Sequence, residues 1–230
     1  MSAKFISLNN VKKTYASSSA LNGISLELYS ESEYVITGAS GSGKSTLLYL
    51  LGGLDRPTAG TIIVNQKNLS DLSDQELAIY RNRFVGFVFQ FHFLLSSMDA
   101  HSNMMLPFEL STPYLGTKEQ IMSARVEVEK RIAAMADHLG VTKLLYKYPY
   151  EMSGGEQQRI SIIRALSLKP RLLLCDEPTG NLDSENSKLV VKLIRELAKE
   201  FQATLLLVTH DSQVANNFSE LYRMKDGLLI

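Results

Sequence analysis

"YVITGASGSGKSTLLYLLGGL", Tyr34 to Leu54, runs from a short β-branched segment through a glycine- and serine-rich turn into a leucine-rich segment. That order predicts a strand, a loop and a helix. Inside it, "GASGSGKS", Gly38 to Ser45, has a glycine, four residues and then Gly-Lys-Ser, the pattern of a phosphate-binding loop in the strand-to-helix context such a loop requires. Its glycines let backbone N–H groups curl around phosphates, and the helix N-terminus adds the positive end of its dipole. Lys44 would reach the β- and γ-phosphates, and the Ser45 hydroxyl a Mg²⁺ ion. The stretch is the opening unit of an α/β fold.

Upstream, "FISLNNV" and "GISLEL" alternate apolar and polar residues. They predict short half-buried strands joined by the Ser-rich turn "ASSSA", an antiparallel β unit. Downstream, residues 91–165 are Met-rich, with Ile121, Ala124, Val128, Ile132, Met135 and Leu139 at helical spacing behind a Thr117–Gln120 capping box. After them "RLLLCDEPTG" and "ATLLLVTHD" are continuous apolar runs, as buried parallel strands are. Val190, Ile194, Leu197 and Phe201 mark a helix between these two. The expected organisation is one domain over residues 1–230, with an α/β core and β subdomain in 1–90 and 166–230 and a helical subdomain inserted at 91–165.

Composition narrows the function. The 24 basic residues balance 24 acidic ones, so no general attraction to nucleic acid or anionic lipid is implied. A single cysteine, Cys175, excludes an internal disulfide framework and reads as a buried small hydrophobe in a reducing compartment. No stretch approaches the roughly 18 apolar residues of a membrane helix, and the N-terminus lacks a signal-peptide core, so the expectation is a cytoplasmic chain.

The ends of the apolar runs carry the chemistry. Asp176 and Glu177 emerge where α/β sheets carry ligands. Asp176 suits Mg²⁺, and Glu177 suits polarising the water that attacks a γ-phosphate. His210 ends the next strand, beside the same phosphate edge, where it can bond a γ-phosphate oxygen or that water. Gln90 ends "FVFQ", where it can touch Mg²⁺ or water and report the nucleotide state to the helical segment. Tyr15 is a packing aromatic or a ring that stacks on adenine. His92, His101 and His138 have no metal-ligand spacing and are assigned no chemistry.

"MSGGEQQR", Met152 to Arg159, sets a puzzle. Ser153 and Glu156 form a capping box, but Gly154 and Gly155 in a first helical turn each cost about 0.5–1 kcal/mol relative to alanine. A bare helix N-terminus with a serine hydroxyl suits an anion, and the γ-phosphate is the obvious one. Lys44 already lies at another such helix. Two copies head to tail, each lending its serine-glycine helix to the other's ATP, would satisfy both.

Together these motifs resemble the nucleotide-binding subunit of ATP-binding cassette (ABC) transporters along nearly the whole chain. "GASGSGKST" is similar to the family's Walker A loop, "LLLCDE" to its Walker B strand, Gln90 to its Q-loop glutamine, "SGGEQQR" to its signature, "GNLD" to its D-loop and His210 to its switch histidine. The resemblance implies a P-loop NTPase fold of the ABC ATPase kind, with an N-terminal antiparallel β subdomain, a mainly parallel core sheet and an inserted α-helical subdomain. It implies ATP held by Gly38, Ala39, Ser40, Gly41, Ser42, Gly43, Lys44, Ser45 and Thr46, with Mg²⁺ at Ser45, Gln90 and Asp176. Ser153, Gly154, Gly155 and Glu156 would complete each site of a sandwich homodimer, Tyr15 would stack on adenine, and Asp183 would communicate between sites.

It further implies two transmembrane permease subunits, no nucleic-acid partner, membrane contact through the permeases alone, and a place on the cytoplasmic face of a bacterial inner membrane. "LLYLLGGLDRPTAG", "FVFQFHFLL", "SGGE" and "DEPTGNLD" resemble the ATPases of bacterial lipoprotein-releasing systems, and macrolide-exporter and cell-division ATPases share many of these residues. Met152 replaces the commonest leucine and Glu156 the commonest glutamine. A DNA-associated ABC ATPase would need coiled-coil arms that the short helical segment lacks. A GTP switch or metabolite kinase would leave "SGGE" and "VTHD" without a task.

Overall fold

The structure, a computed structural model, describes residues 3–16, 18–180 and 184–230. Two long strands open it, β1 (Lys4–Tyr15) and β2 (Ser18–Tyr29), antiparallel from Lys4 opposite Tyr29 to Tyr15 opposite Ser18. Both outrun their sequence alternation, and β2 begins inside the Ser-rich stretch expected to be a turn. Register shifts between Leu8 and Val11 break the alternation there, with Asn10 in a left-handed conformation (φ 48°), so a period-2 reading loses the strand midway. Next come β3 (Glu33–Thr37) and, past the glycine-rich loop, α1 (Lys44–Leu51). β4 (Ala59–Val64) and β5 (Lys67–Asn68) complete a sheet in the order β2-β1-β4-β5.

α2 (Asp74–Phe84) starts at a Ser73–Glu76 capping box and feeds β6 (Val85–Phe89). Three long helices come next, α3 (Ala100–Ser111), α4 (Lys118–His138) and α5 (Gly154–Leu166). The Thr117–Gln120 box does cap α4, with the Gln120 side chain accepting from Thr117 N–H at 2.8 Å. β7 (Leu172–Asp176), α6 (Ser184–Glu200), β8 (Thr204–Thr209), the short α7 (Ser212–Ala215) and the hairpin of β9 (Glu220–Lys225) and β10 (Leu228–Leu229) finish the chain.

The second sheet runs β10-β9-β3-β8-β7-β6, parallel throughout except for β10. It is covered on both faces, which is why its strands read as unbroken apolar runs. Val35, Leu173, Cys175, Leu205 and Leu207 face a core shared with α3, α4, α5 and α6. Their alternates Ile36, Leu172, Leu174, Leu206 and Val208 face a second core with α1 and the β1-β2-β4 sheet. Burying each leucine contributes about 1.5–3 kcal/mol. The six leucines of β7 and β8, all at 0% exposure, therefore anchor the two strands that carry the acidic pair and His210. No helix among the described residues is long and apolar enough to cross a membrane.

Helix α5 is pressed onto the sheet at one point. A Cβ on Gly86 would lie 2.4 Å from the Ala165 carbonyl oxygen. The contact is with backbone, which cannot swing aside as a side chain would. Gly86→Ala is therefore expected to destabilise the protein by about 1–3 kcal/mol, read as a lower urea midpoint with unchanged slope.

Candidate active site

The parallel register brings distant segments to one edge. Thr37 pairs with Thr209, Asp176 with Val208 and Phe89 with Asp176, so β3, β8, β7 and β6 end in line. Just beyond those ends, the glycine-rich loop, Glu177, His210 and Gln90 line a cleft of about 530 Å³ together with Lys44, Ser45 and Thr46.

The glycines of the loop are required by this chain. Gly41 (φ 78°) and Gly43 (φ 103°) are left-handed, where side chains are strained. A Cβ on Gly38 would lie 2.2 Å from the Met224 carbonyl oxygen, and one on Gly43 2.4 Å from that of Ala20. The loop is thus clamped from behind by β9 and from the side by β2. Inside it, Lys44 is buried and its Nζ donates to the Gly38 and Ala39 carbonyls (2.8 and 3.0 Å), 3.9 Å from Glu177 Oε1.

Ser45 donates to Asp176 Oδ1 at 2.9 Å, and the Tyr49 hydroxyl, one turn further along α1, acts on the same carboxylate. Burial raises the Asp176 pKa above the ordinary carboxylate value, with the charge of Glu177 adding to it and the Ser45 and Tyr49 hydroxyls opposing it. Glu177 sits at φ 47°, a left-handed position costly for a non-glycine residue. Its carboxylate Oε2 lies 3.0 Å from His210 Nδ1 and accepts from His210 N–H at 3.3 Å. Gln90 packs closely on Gly180, where a Cβ would come within 2.7 Å of the Gln90 amide nitrogen.

The start of α5 lies apart from this cleft: none of Ser153, Gly154, Gly155 or Glu156 lines it. Ser153 caps the helix, and Glu156 Oε2 accepts from Ser153 N–H (2.7 Å) and Oγ (2.8 Å), which holds the Glu156 carboxyl below its usual range. Around Gly154 and Gly155 there is room. A Cβ on Gly154 would meet only His92 Nε2 at 3.9 Å, one on Gly155 only an Arg159 nitrogen at 4.0 Å, and neither glycine is left-handed. Among the described residues, nothing requires glycine there.

Tyr15 ends β1, 44% exposed, with its hydroxyl 2.6 Å from Asp55 Oδ2. Asp183 lies outside the described residues. Sequence reasoning missed Tyr49, although its place four residues after Ser45 on one helix face was the signal available. It also missed Gln158, fully buried, whose amide donates to the Pro178 carbonyl (2.9 Å) and ties α5 to the segment after Glu177. Arg164, nearer the end of α5, donates to the His92 and Phe93 carbonyls (2.7 Å each), so the chain just past Gln90 is held to the same helix.

A parallel sheet with a phosphate loop, an acidic pair and a histidine at one edge defines a P-loop nucleoside triphosphatase. The chain belongs to the ABC transporter family, whose model, described as "ABC transporter", matches residues 21–180. It is 40% identical to the lipoprotein-releasing system ATP-binding protein LolD of Saccharophagus degradans, over 100% of this chain and 98% of that protein. Among solved structures it is similar to the dimeric bacterial ABC transporter cassette MJ0796 (TM-score 0.84, 34% identity, 97% of this chain and 96% of that one). A post-hydrolysis MJ0796 dimer bound to ADP and Pi matches at TM-score 0.81, with the same identity and coverage. The protein is an ATPase of this family, with the α/β architecture and helical layer its motifs implied.

The raised Asp176 pKa has a sign that can be tested. A carboxyl with a higher pKa folded than unfolded stabilises the fold at acid pH, below the unfolded value. That contribution is lost as pH rises through the folded value, so at neutral pH the buried charge is a cost. Asp176→Asn is expected to raise the melting temperature of the nucleotide-free protein, by about 2–4 °C for each kcal/mol relieved, in a calorimetric or fluorescence melt.

Proposed function

We propose that this chain works as a homodimer of ATPase subunits on the cytoplasmic face of a bacterial inner membrane. There it drives two transmembrane permease subunits that release lipoproteins. The observation that carries the dimer is the free space around Gly154 and Gly155, in contrast to Gly38 and Gly43 of the phosphate loop, which the chain's own backbone hems in. Helix propensity opposes two glycines in that turn, so their reason lies outside the chain, in a triphosphate presented by a second copy. The dimeric MJ0796 cassettes and the names of the LolD relatives support the assembly and the cargo class.

In this reading the loop from Gly38 to Thr46 wraps the triphosphate and Lys44 exchanges its loop carbonyls for β- and γ-phosphate oxygens. Ser45 and Asp176 offer adjacent hard oxygen donors, the kind Mg²⁺ takes along with phosphate oxygens, and Gln90 can add a third. When bound, the ion neutralises charge on the β- and γ-oxygens. Glu177 polarises the attacking water, and His210, already paired with it, bonds the γ-phosphate or that water. Tyr15 stacks on adenine, and Asp183 links the two sites.

Residues 91–165 act as the subdomain that carries Ser153–Glu156 to the opposite nucleotide. The permeases would dock in a groove of about 510 Å³ between α2, β6, α3 and α5, where Phe87, Phe89, Leu110 and Tyr114 are lining residues. Phe93 packs edge-on to Phe89 at 5.3 Å, and Phe93 and Phe91 are exposed, an apolar surface continuous with Gln90. Arg164 would pass movement of that segment to α5.

Glu177→Gln keeps the shape of the site and removes the base. It is expected to lower ATP turnover by about 100-fold or more and to accumulate an ATP-bound dimer in size-exclusion chromatography. A monomeric variant with normal turnover would remove Glu177 from its role. Replacing Gly154 and Gly155 together by alanine should leave helix content and ATP binding intact while abolishing turnover. Turnover close to that of the parent protein would show that no phosphate from another subunit approaches there.

A further inference from the structure

We infer that Asp55 and Lys13 form a clamp that orients the Tyr15 ring toward the nucleotide base, making both of them positioning residues for ATP. The inference rests on the reading that Tyr15 stacks on adenine. Asp55 lies in the connection from α1 to β4, forty positions from Tyr15, and the fold places its carboxylate between two residues of β1. Oδ2 accepts from the Tyr15 hydroxyl at 2.6 Å, and Oδ1 accepts from Lys13 Nζ at 2.6 Å and from the Arg56 N–H at 2.7 Å. Lys13 also donates to the Arg56 carbonyl at 2.8 Å, and its ammonium stands 4.7 Å from the centre of the Tyr15 ring.

These contacts leave the ring few freedoms. Its edge is pinned by a charge-assisted hydrogen bond, and one face is covered by a cation. The residue is nevertheless 44% exposed, and with Lys13 over one face, the opposite face is the one we assign to the base. That face is where a planar base can stack. Lys13 is only 12% exposed and its charge is matched by Asp55, so it is engaged here rather than available to a phosphate. Burial, with Asp55 accepting from the phenol, raises the Tyr15 pKa and keeps it a donor. An aromatic fixed in advance loses less freedom when the ligand arrives, and that is affinity.

The test compares ATP with inorganic tripolyphosphate, which has the phosphates and no base, by calorimetric titration of the full-length protein. Asp55→Ala and Tyr15→Phe are each expected to weaken ATP binding by roughly three- to tenfold, the worth of a hydrogen bond to a charged group. The double variant should be no weaker than the weaker single one, because both remove one interaction. Tripolyphosphate affinity should stay unchanged in all three. Tyr15→Ala separates the clamp from the reading beneath it. Weakened ATP binding in Tyr15→Ala, with none in Asp55→Ala or Tyr15→Phe, would overturn the clamp and leave the stacking role standing. Unchanged ATP binding in Tyr15→Ala would overturn both. Equal loss of ATP and tripolyphosphate in Asp55→Ala would overturn the clamp too, since Asp55 would then support the loop rather than the ring.

Discussion

The register of the parallel sheet is the constraint on which the rest of the molecule depends. Because Phe89, Asp176 and Val208 lie side by side, and Thr37 beside Thr209, four strands stop at one edge and present the loops leaving them to a common cleft. A slip of one residue would turn alternate leucines from one core to the other and move the acidic pair out of line with the phosphate loop. The strands carry apolar side chains on both faces, so their register is held by two cores at once. Chemistry is confined to the strand ends, where burial gives way to the cleft.

Several groups of the cleft are paired with one another. Lys44 is bonded to loop carbonyls, Ser45 to Asp176, and Glu177 to His210. Of these, Lys44 and Asp176 are buried, and leaving a buried group unpaired costs about 1–3 kcal/mol, more for a charge. The raised Asp176 pKa marks a carboxylate whose charge is disfavoured by burial. The left-handed backbone at Glu177 is a local cost that the surrounding structure sustains, and the carboxylate it carries lies 3.0 Å from His210 Nδ1.

Two kinds of glycine differ in what surrounds them. Gly38 and Gly43 are surrounded by carbonyl oxygens of β9 and β2, so a methyl group would collide with backbone. Gly154 and Gly155 face space. In the sequence the two sets look alike, small residues next to a helix start, and the capping logic of Ser153 and Glu156 treats Gly154 and Gly155 as defects. Their surroundings leave room for side chains that the sequence does not use.

Much of the fold was legible because its signals are local. The phosphate loop, the apolar runs of β7 and β8, the capping box of α4 and the acidic pair each sit within about a dozen residues, where periodicity and turn chemistry act. The lengths of β1 and β2 were not legible, because the bulge near Asn10 breaks the alternation that would have announced them. Nor was the company Tyr15 keeps, since Asp55 is brought to it by the pairing of β1 with β4, a non-local event without a sequence period. By itself the sequence determined the class of fold, the nucleotide chemistry and the residues at the strand ends, since each arises from a local pattern. Only the tertiary structure decided which glycines are filled, which carboxylate is buried and which side chains hold Tyr15, because contacts between remote segments are set by packing and register.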